Sequence, residues 1–264
     1  MSEVESERRS RLGAVLGLVG FLIGAAIAVV LIASPSHPSR AEPGLPPPVR
    51  SALAPHNVPL GPAPVAYWAP VLDSAAVRRA PAQGAAIAEV GTKTPEGTTN
   101  IVLVYGHSVR RAGRLWVEVR APGRPDDARG WLPRSVLGGY RSVATRLVVD
   151  RRTLTATLWR GERRIFRARV GVGMASTPTP SGDFYVRNQL HKYSSPFYGP
   201  VAFGTSARSA TLTDWPAGGF VGIHGTNRPD LIPGRISHGC IRMTNADILR
   251  LARLMPVGTP LNVR

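Results

Sequence analysis

Two residues near the C-terminal end of this chain could do covalent chemistry together. Cys240, the single cysteine, lies in ISHGCIRM, and His224 lies a short loop upstream in VGIHGT. A thiol beside a base is an acyl-transfer nucleophile, because the base raises the fraction of reactive thiolate. His224 follows the apolar run Phe220–Ile223, which places it at a strand end. Gly225 and Thr226 open a turn-rich loop, GTNRPDLIPGRI, that returns to Ser237, His238, Gly239 and Cys240. Gly239 permits a tight backbone bend before the thiol. Amides around Gly239 and Cys240 are then candidates to face a developing oxyanion, and Arg242 could hold a carboxylate in a bidentate fork. Three plainer readings stand beside this one. Cys240 could be an inert buried thiol, His224 could be a core histidine, or His224, His238 and Cys240 could ligate zinc.

The elements that must position these residues begin with a segment that sets the compartment. Residues 12–33, LGAVLGLVGFLIGAAIAVVLIA, carry no charge and are long enough for a membrane-spanning helix. Arg8, Arg9 and Arg11 precede the span and only Arg40 closely follows it. The positive-inside rule therefore predicts a single-pass anchor in the cell membrane, residues 1–11 in the cytoplasm and the rest outside it. There a lone thiol has no disulfide partner, so a reactive role is the best reason for keeping one. Residues 34–65 are proline-rich and lack apolar periodicity, which predicts an extended linker. The net charge of +17 is almost entirely arginine, with Lys93 and Lys192 the two lysines. Those arginines are scattered and no nucleic-acid motif accompanies them, so a membrane or wall polymer is the expected partner and nucleic acid is not.

Beyond the linker the chain reads as mainly β in two parts, 66–140 and 141–264. In the first, Ile101–Tyr105, Leu115–Val119 and Gly130–Pro133 are short β-runs between turn signals, as in small β-barrels. In the second, Leu154, Ala156 and Leu158, then Phe166, Ala168, Val170 and Val172, alternate with other residues across a turn at Arg160-Gly161. That pattern predicts a hairpin with one buried face. One helix is expected after Thr244, with Ile248, Leu251, Ala252 and Met255 on its apolar face and Pro256 with Gly258 ending it. Tyr193, Phe197 and Tyr198, in a glycine-containing loop, are candidates to cover a substrate; nearby His191 is not assigned a catalytic role.

The pattern WVEVR, a loop, then GWLPRSVLG resembles bacterial SH3-like domains. IHGTN followed by SHGCIRM resembles the signature of the L,D-transpeptidase catalytic domain, the YkuD domain. VGVG, TPTPSGDFYV and NADILRLARLMPVGTPLNV agree with it in the expected order. The resemblance spans 141–264. It implies a YkuD-type β-sandwich with Cys240 as nucleophile and His224 as general base, oriented by the Gly225 carbonyl. It implies that His238 and Gly239 shape an oxyanion-forming loop, with Ser237, Arg242 and Tyr198 as substrate-side residues. Some family members carry asparagine where this chain has Arg242. Neither a cofactor nor a metal is implied. The expected substrate is a peptidoglycan tetrapeptide stem, acylating Cys240 through its third residue with release of D-alanine, and the expected acceptor is a side-chain amine of a second stem. Water as acceptor would give an L,D-carboxypeptidase, and a protein amine would give a protein-to-wall anchoring enzyme. A wall-binding protein without catalysis is the alternative from another class.

Overall fold

The computed structural model describes residues 65–122, 129–191, 195–209, 211 and 219–264. The anchor read at 12–33, the linker read at 34–65 except for its last residue, Val65, and Tyr193 lie outside the described residues. Among the described residues no helix is long and apolar enough to cross a membrane.

The first part is a seven-stranded antiparallel sheet. Its strands are β1 (Ala66–Pro70), β2 (Ala75–Arg78), β3 (Ala86–Val90), β4 (Ile101–Arg111), β5 (Arg114–Arg120), β6 (Arg129–Pro133) and β7 (Arg141–Val143), in the order β3-β2-β6-β5-β4-β1-β7. The three runs expected from sequence fall within β4, β5 and β6. Val102, Val104, Val117, Val119 and Leu132 alternate along them to build a buried core with Val77 and Leu137. β7 departs from the expected division at residue 141. Arg141–Val143 pairs with Ala66–Trp68 in the first sheet, because β1 has an open edge there and Val143 completes the apolar seam beside it.

The second part is a ten-stranded mixed sheet. Its strands are β8 (Thr145–Asp150), β9 (Thr155–Arg160), β10 (Arg163–Arg169), β11 (Gly171–Gly173), β12 (Gly182–His191), β13 (Val201–Arg208), β14 (Phe220–His224), β15 (Gly234–Ser237), β16 (Ile241–Arg242) and β17 (Pro260–Val263). The order is β10-β9-β8-β17-β12-β13-β14-β16-β11-β15. The expected hairpin is β9–β10, turning at Gly161 with φ +57°. The strand β12 joins two halves. Its first residues, Gly182–Tyr185, pair with β17, and its later ones, Val186–His191, pair with β13 across a register shift at Val186/Asn188. Such an irregularity lets one strand serve two layers. Leu147, Leu158 and Phe166 from one end of the order therefore share a core with Val172, Ile223 and Ile241 from the other.

Among the described residues one α-helix, α1 (Asn245–Ala252), packs on that core through Ile248 and Leu251. Burying two such side chains contributes on the order of 4 kcal/mol. Its start is local chemistry. Thr244 Oγ1 accepts the Asp247 N–H at 3.1 Å and donates to Asp247 Oδ2 at 2.9 Å, a cap that stabilises the helix by about 1 kcal/mol. The two sheets meet along an apolar seam of Trp68, Ile101, Leu103, Val143 and Tyr185. Tyr185 Oη donates to the Ile101 carbonyl across it at 2.9 Å, and Arg120 reaches the Asp183 carbonyl.

Candidate active site

All five residues of β14 are buried, as expected for a strand covered on both faces. The strand runs parallel to β16 with Ile223 level with Ile241 and His224 level with Arg242. One pair earlier, Gly222 is beside Cys240, and the Gly222 N–H donates to Cys240 Sγ at 3.4 Å. Cys240 immediately precedes β16, and its thiol therefore lies against β14 two residues before His224.

The turn that presents Cys240 is held from two sides. Ser237 Oγ accepts the Gly239 N–H at 3.1 Å and donates to the Cys240 carbonyl at 2.5 Å. Thr179 Oγ1 donates to the Gly239 carbonyl at 2.8 Å and accepts the Gly173 N–H at 2.9 Å. Gly239 has φ +123°, a backbone region open to glycine and strained for other residues. Its N–H donates to Ser237 Oγ, so the side chain of Ser237 fixes the bend just before the thiol.

His224 Nδ1 lies 2.6 Å from the Gly225 carbonyl oxygen. A carbonyl only accepts, so Nδ1 carries the proton and Nε2 keeps its lone pair. The ring is 1% exposed. Burial pushes its pKa down to about 4, with the nearby Arg242 charge adding to the fall and the Gly225 hydrogen bond opposing it. The imidazole is therefore neutral at physiological pH and able to accept a proton.

Tyr198 ends a single 3-10 turn, Pro196–Tyr198. Its ring meets His224 edge-on at 5.0 Å and packs against Phe220 and Cys240. Arg242 is 8% exposed, with its guanidinium over the Phe197 ring at 4.5 Å and its buried Nε without a hydrogen-bond partner. Burial lowers its pKa, and Cys240 and Tyr198 oppose that shift. The structure so gathers Cys240, His224, Gly225, Ser237, Gly239, Tyr198 and Arg242. His238, in the same turn, is exposed. Among the described residues no group of three or more His, Cys, Asp or Glu is arranged to hold a metal. His191 is exposed, on the far end of β12.

Three contributors were not singled out from sequence. Gly222 offers its amide to the thiol, and nothing in a bare FVGIH run marks a glycine for that role. Thr179 lies in the TPTPSG turn, whose density of hydroxyls and prolines was the available signal. Asn245, readable only as a helix start, accepts the Thr226 N–H at 3.0 Å through Oδ1. That oxygen also fills the space where a Cβ on Gly225 or on Gly199 would stand. A Cβ at Gly225 would lie 2.3 Å from it and 3.2 Å from Ile248 Cγ2. Gly225→Ala is therefore expected to destabilise the protein by about 2 kcal/mol through overpacking. A lowered urea midpoint with an unchanged slope is the measurement that shows it.

The family profile for the L,D-transpeptidase catalytic domain, YkuD, matches residues 144–263. A Bacillus licheniformis protein named as a YkuD L,D-transpeptidase is 32% identical over 131 residues, covering 48% of this chain and 72% of that protein. Its Bacillus subtilis namesake is 34% identical over 116 residues, covering 44% of this chain and 62% of the relative's length. Among solved structures, the catalytic domain of an E. faecium L,D-transpeptidase is 25% identical, covers 46% of this chain and 96% of that one, and has a TM-score of 0.34.

Proposed function

The chain belongs to the YkuD family of L,D-transpeptidase catalytic domains, and from that premise we propose that it is a peptidoglycan L,D-transpeptidase working through Cys240 and His224. The observation that carries the reading is a buried, neutral imidazole whose lone-pair nitrogen is fixed by the Gly225 carbonyl, on the strand beside the chain's only thiol. Cys240 Sγ attacks the carbonyl of the third stem residue while His224 Nε2 takes the thiol proton. Collapse of the tetrahedral intermediate breaks the bond to D-alanine, whose amine leaves with that proton. A side-chain amine of a second stem then attacks the thioester, gives its proton to His224, and releases the thiol. The turn at 237–240 lends amides to the oxyanion.

Arg242 is the residue for the donor's carboxylate. Its buried Nε lacks a partner, and a carboxylate bound in a fork would supply one. Tyr198 and Phe197 form the substrate-facing wall beside it. The N-terminal sheet is read as an SH3-like domain and the 12–33 span as a single-pass anchor, so that the site works outside the cell membrane. The +17 charge suits an anionic envelope.

The test is mass spectrometry of the full chain in detergent, incubated with a purified disaccharide-tetrapeptide. Loss of D-alanine together with a third-to-third linked dimer is the expected product. A shortened monomer alone would replace the amine acceptor by water. Unreacted substrate with no adduct on Cys240 would overturn the reading.

A further inference from the structure

The apolar wall behind Cys240 is Phe220, the first residue of β14, against which the thiol and Tyr198 both pack. Two cations hold that ring. The guanidinium of Arg187 lies 3.8 Å from its centroid and that of Arg208 lies 5.0 Å away. Arg187 sits on β12, is 1% exposed, and donates through Nε to the Thr205 carbonyl at 2.7 Å. Its other anchor comes from outside the matched catalytic region. Glu96, on the loop between β3 and β4 of the first sheet, accepts from Arg187 through Oε1 at 3.3 Å, with only 5% of its side chain exposed. Its second oxygen accepts from Asn188 Nδ2 at 3.0 Å, and that same nitrogen lies 3.0 Å from Thr98 Oγ1 and 3.3 Å from Thr94 Oγ1 on the same loop. Asn188 Oδ1 in turn receives the Gly204 N–H at 2.9 Å.

A buried ion pair is weak support for stability, since desolvation offsets most of its attraction. Breaking it by removing one partner is a different matter, because it strands a charge. The stranded charge here would be the one stacked on the ring behind the nucleophile. The contacts run without a gap from carboxylate to guanidinium, ring and sulfur: Glu96, Arg187, Phe220, Cys240.

We propose that Glu96 is a positioning residue for Cys240: through Arg187 and Phe220, the N-terminal sheet sets the wall that holds the thiol in its attacking place. This rests on the reading of Cys240 as nucleophile, but one of its tests needs no substrate. Because Cys240 is the chain's one cysteine, the rate at which iodoacetamide modifies it, followed by intact mass, reports its surroundings alone.

In the full chain, Glu96→Ala should lower kcat about tenfold while KM stays within about threefold, as expected of a misplaced reacting group. The same variant should let iodoacetamide reach the thiol roughly fivefold faster, through local opening of a sulfur that is now buried. Glu96→Asp keeps the charge but cannot span both Arg187 and Asn188. It should fall between Glu96→Ala and the parent, and it carries the test where Glu96→Ala does not fold. The control is Tyr185→Phe, which removes the hydrogen bond to Ile101 across the same seam; the lost hydroxyl is a neighbour of Arg187 but is neutral, so the Glu96–Arg187 pair and the stack on Phe220 stay in place. It should leave both readouts within about twofold, since one neutral hydrogen bond is worth about 1 kcal/mol. Alkylation at the parental rate in both Glu96 variants would overturn the proposal. So would equal changes in Tyr185→Phe, which would reduce the effect to stability of the seam. A parent enzyme inactive on stem peptide but showing the alkylation pattern would overturn the substrate reading and leave the positioning intact.

Discussion

Cys240→Ala is expected to lower acyl transfer by about 10⁴-fold or more, to the level that binding and oxyanion donors sustain without a nucleophile. The acyl-enzyme should vanish with it, so intact mass after mixing with tetrapeptide should show the unmodified chain. Fold loss is not a competing explanation. The side chain is small, 7% exposed, and packed with Phe220 and Tyr198. Replacing its sulfur by hydrogen should cost about 1 kcal/mol, within the range of ordinary core trimming. The turn itself is held by Ser237 Oγ and Thr179 Oγ1 acting on backbone atoms, and none of those bonds uses the thiol. A melting curve close to the parent's together with absent turnover is the expected pair of results. Residual activity within tenfold of the parent would place the nucleophile elsewhere and return Cys240 to the inert-thiol reading.

What could be read before the structure was local, and what could not was made by distant pairings. The β9–β10 hairpin announced itself because Ala156, Leu158, Phe166 and Ala168 alternate across a glycine turn, and all four are buried. The α1 start was legible because Thr244 and Asp247 are close enough in sequence to bond each other. Gly239 was readable as a turn glycine, and its φ of +123° agrees. That Ser237 takes the Gly239 amide depends on the bend itself, which residue types alone do not give. Arg141–Val143 offers one apolar residue and no pattern, and its place in the first sheet is set by the edge of β1. Glu96 lies in TPEGTTN, which reads as a solvated turn. Its burial depends on Arg187 and Asn188, which belong to the other sheet. The Cys240–His224 pair itself was legible as residue types near strand ends. Its juxtaposition follows from a parallel β14–β16 register that no spacing encodes.

His224→Asn is expected to reduce turnover by about 10³-fold, the scale of a lost general base. Asparagine can still donate to the Gly225 carbonyl from the position of Nδ1, but it has nothing in place of the Nε2 lone pair. The substitution also removes a pH-dependent part of the protein's stability. The pKa of His224 lies at about 4 in the folded chain against 6.5 for an unperturbed histidine. Between those values the unfolded chain binds a proton that the folded chain refuses, so stability rises with pH across the interval. The contribution is fully present above pH 6.5 and is lost as the pH falls toward 4. A shift of that size is worth about 3 kcal/mol between pH 7 and pH 4, undiminished by solvent screening because the ring is buried. Urea unfolding at pH 7 and pH 4 should therefore show a parent protein that weakens by about 3 kcal/mol more than His224→Asn over the same interval. Carboxylates that titrate in this range are common to both chains and cancel in the comparison. Equal losses in the two proteins would mean that His224 takes up its proton in the folded state at an ordinary pH. The imidazole would then be charged over part of the working range, and its burial would no longer account for its capacity to accept a proton.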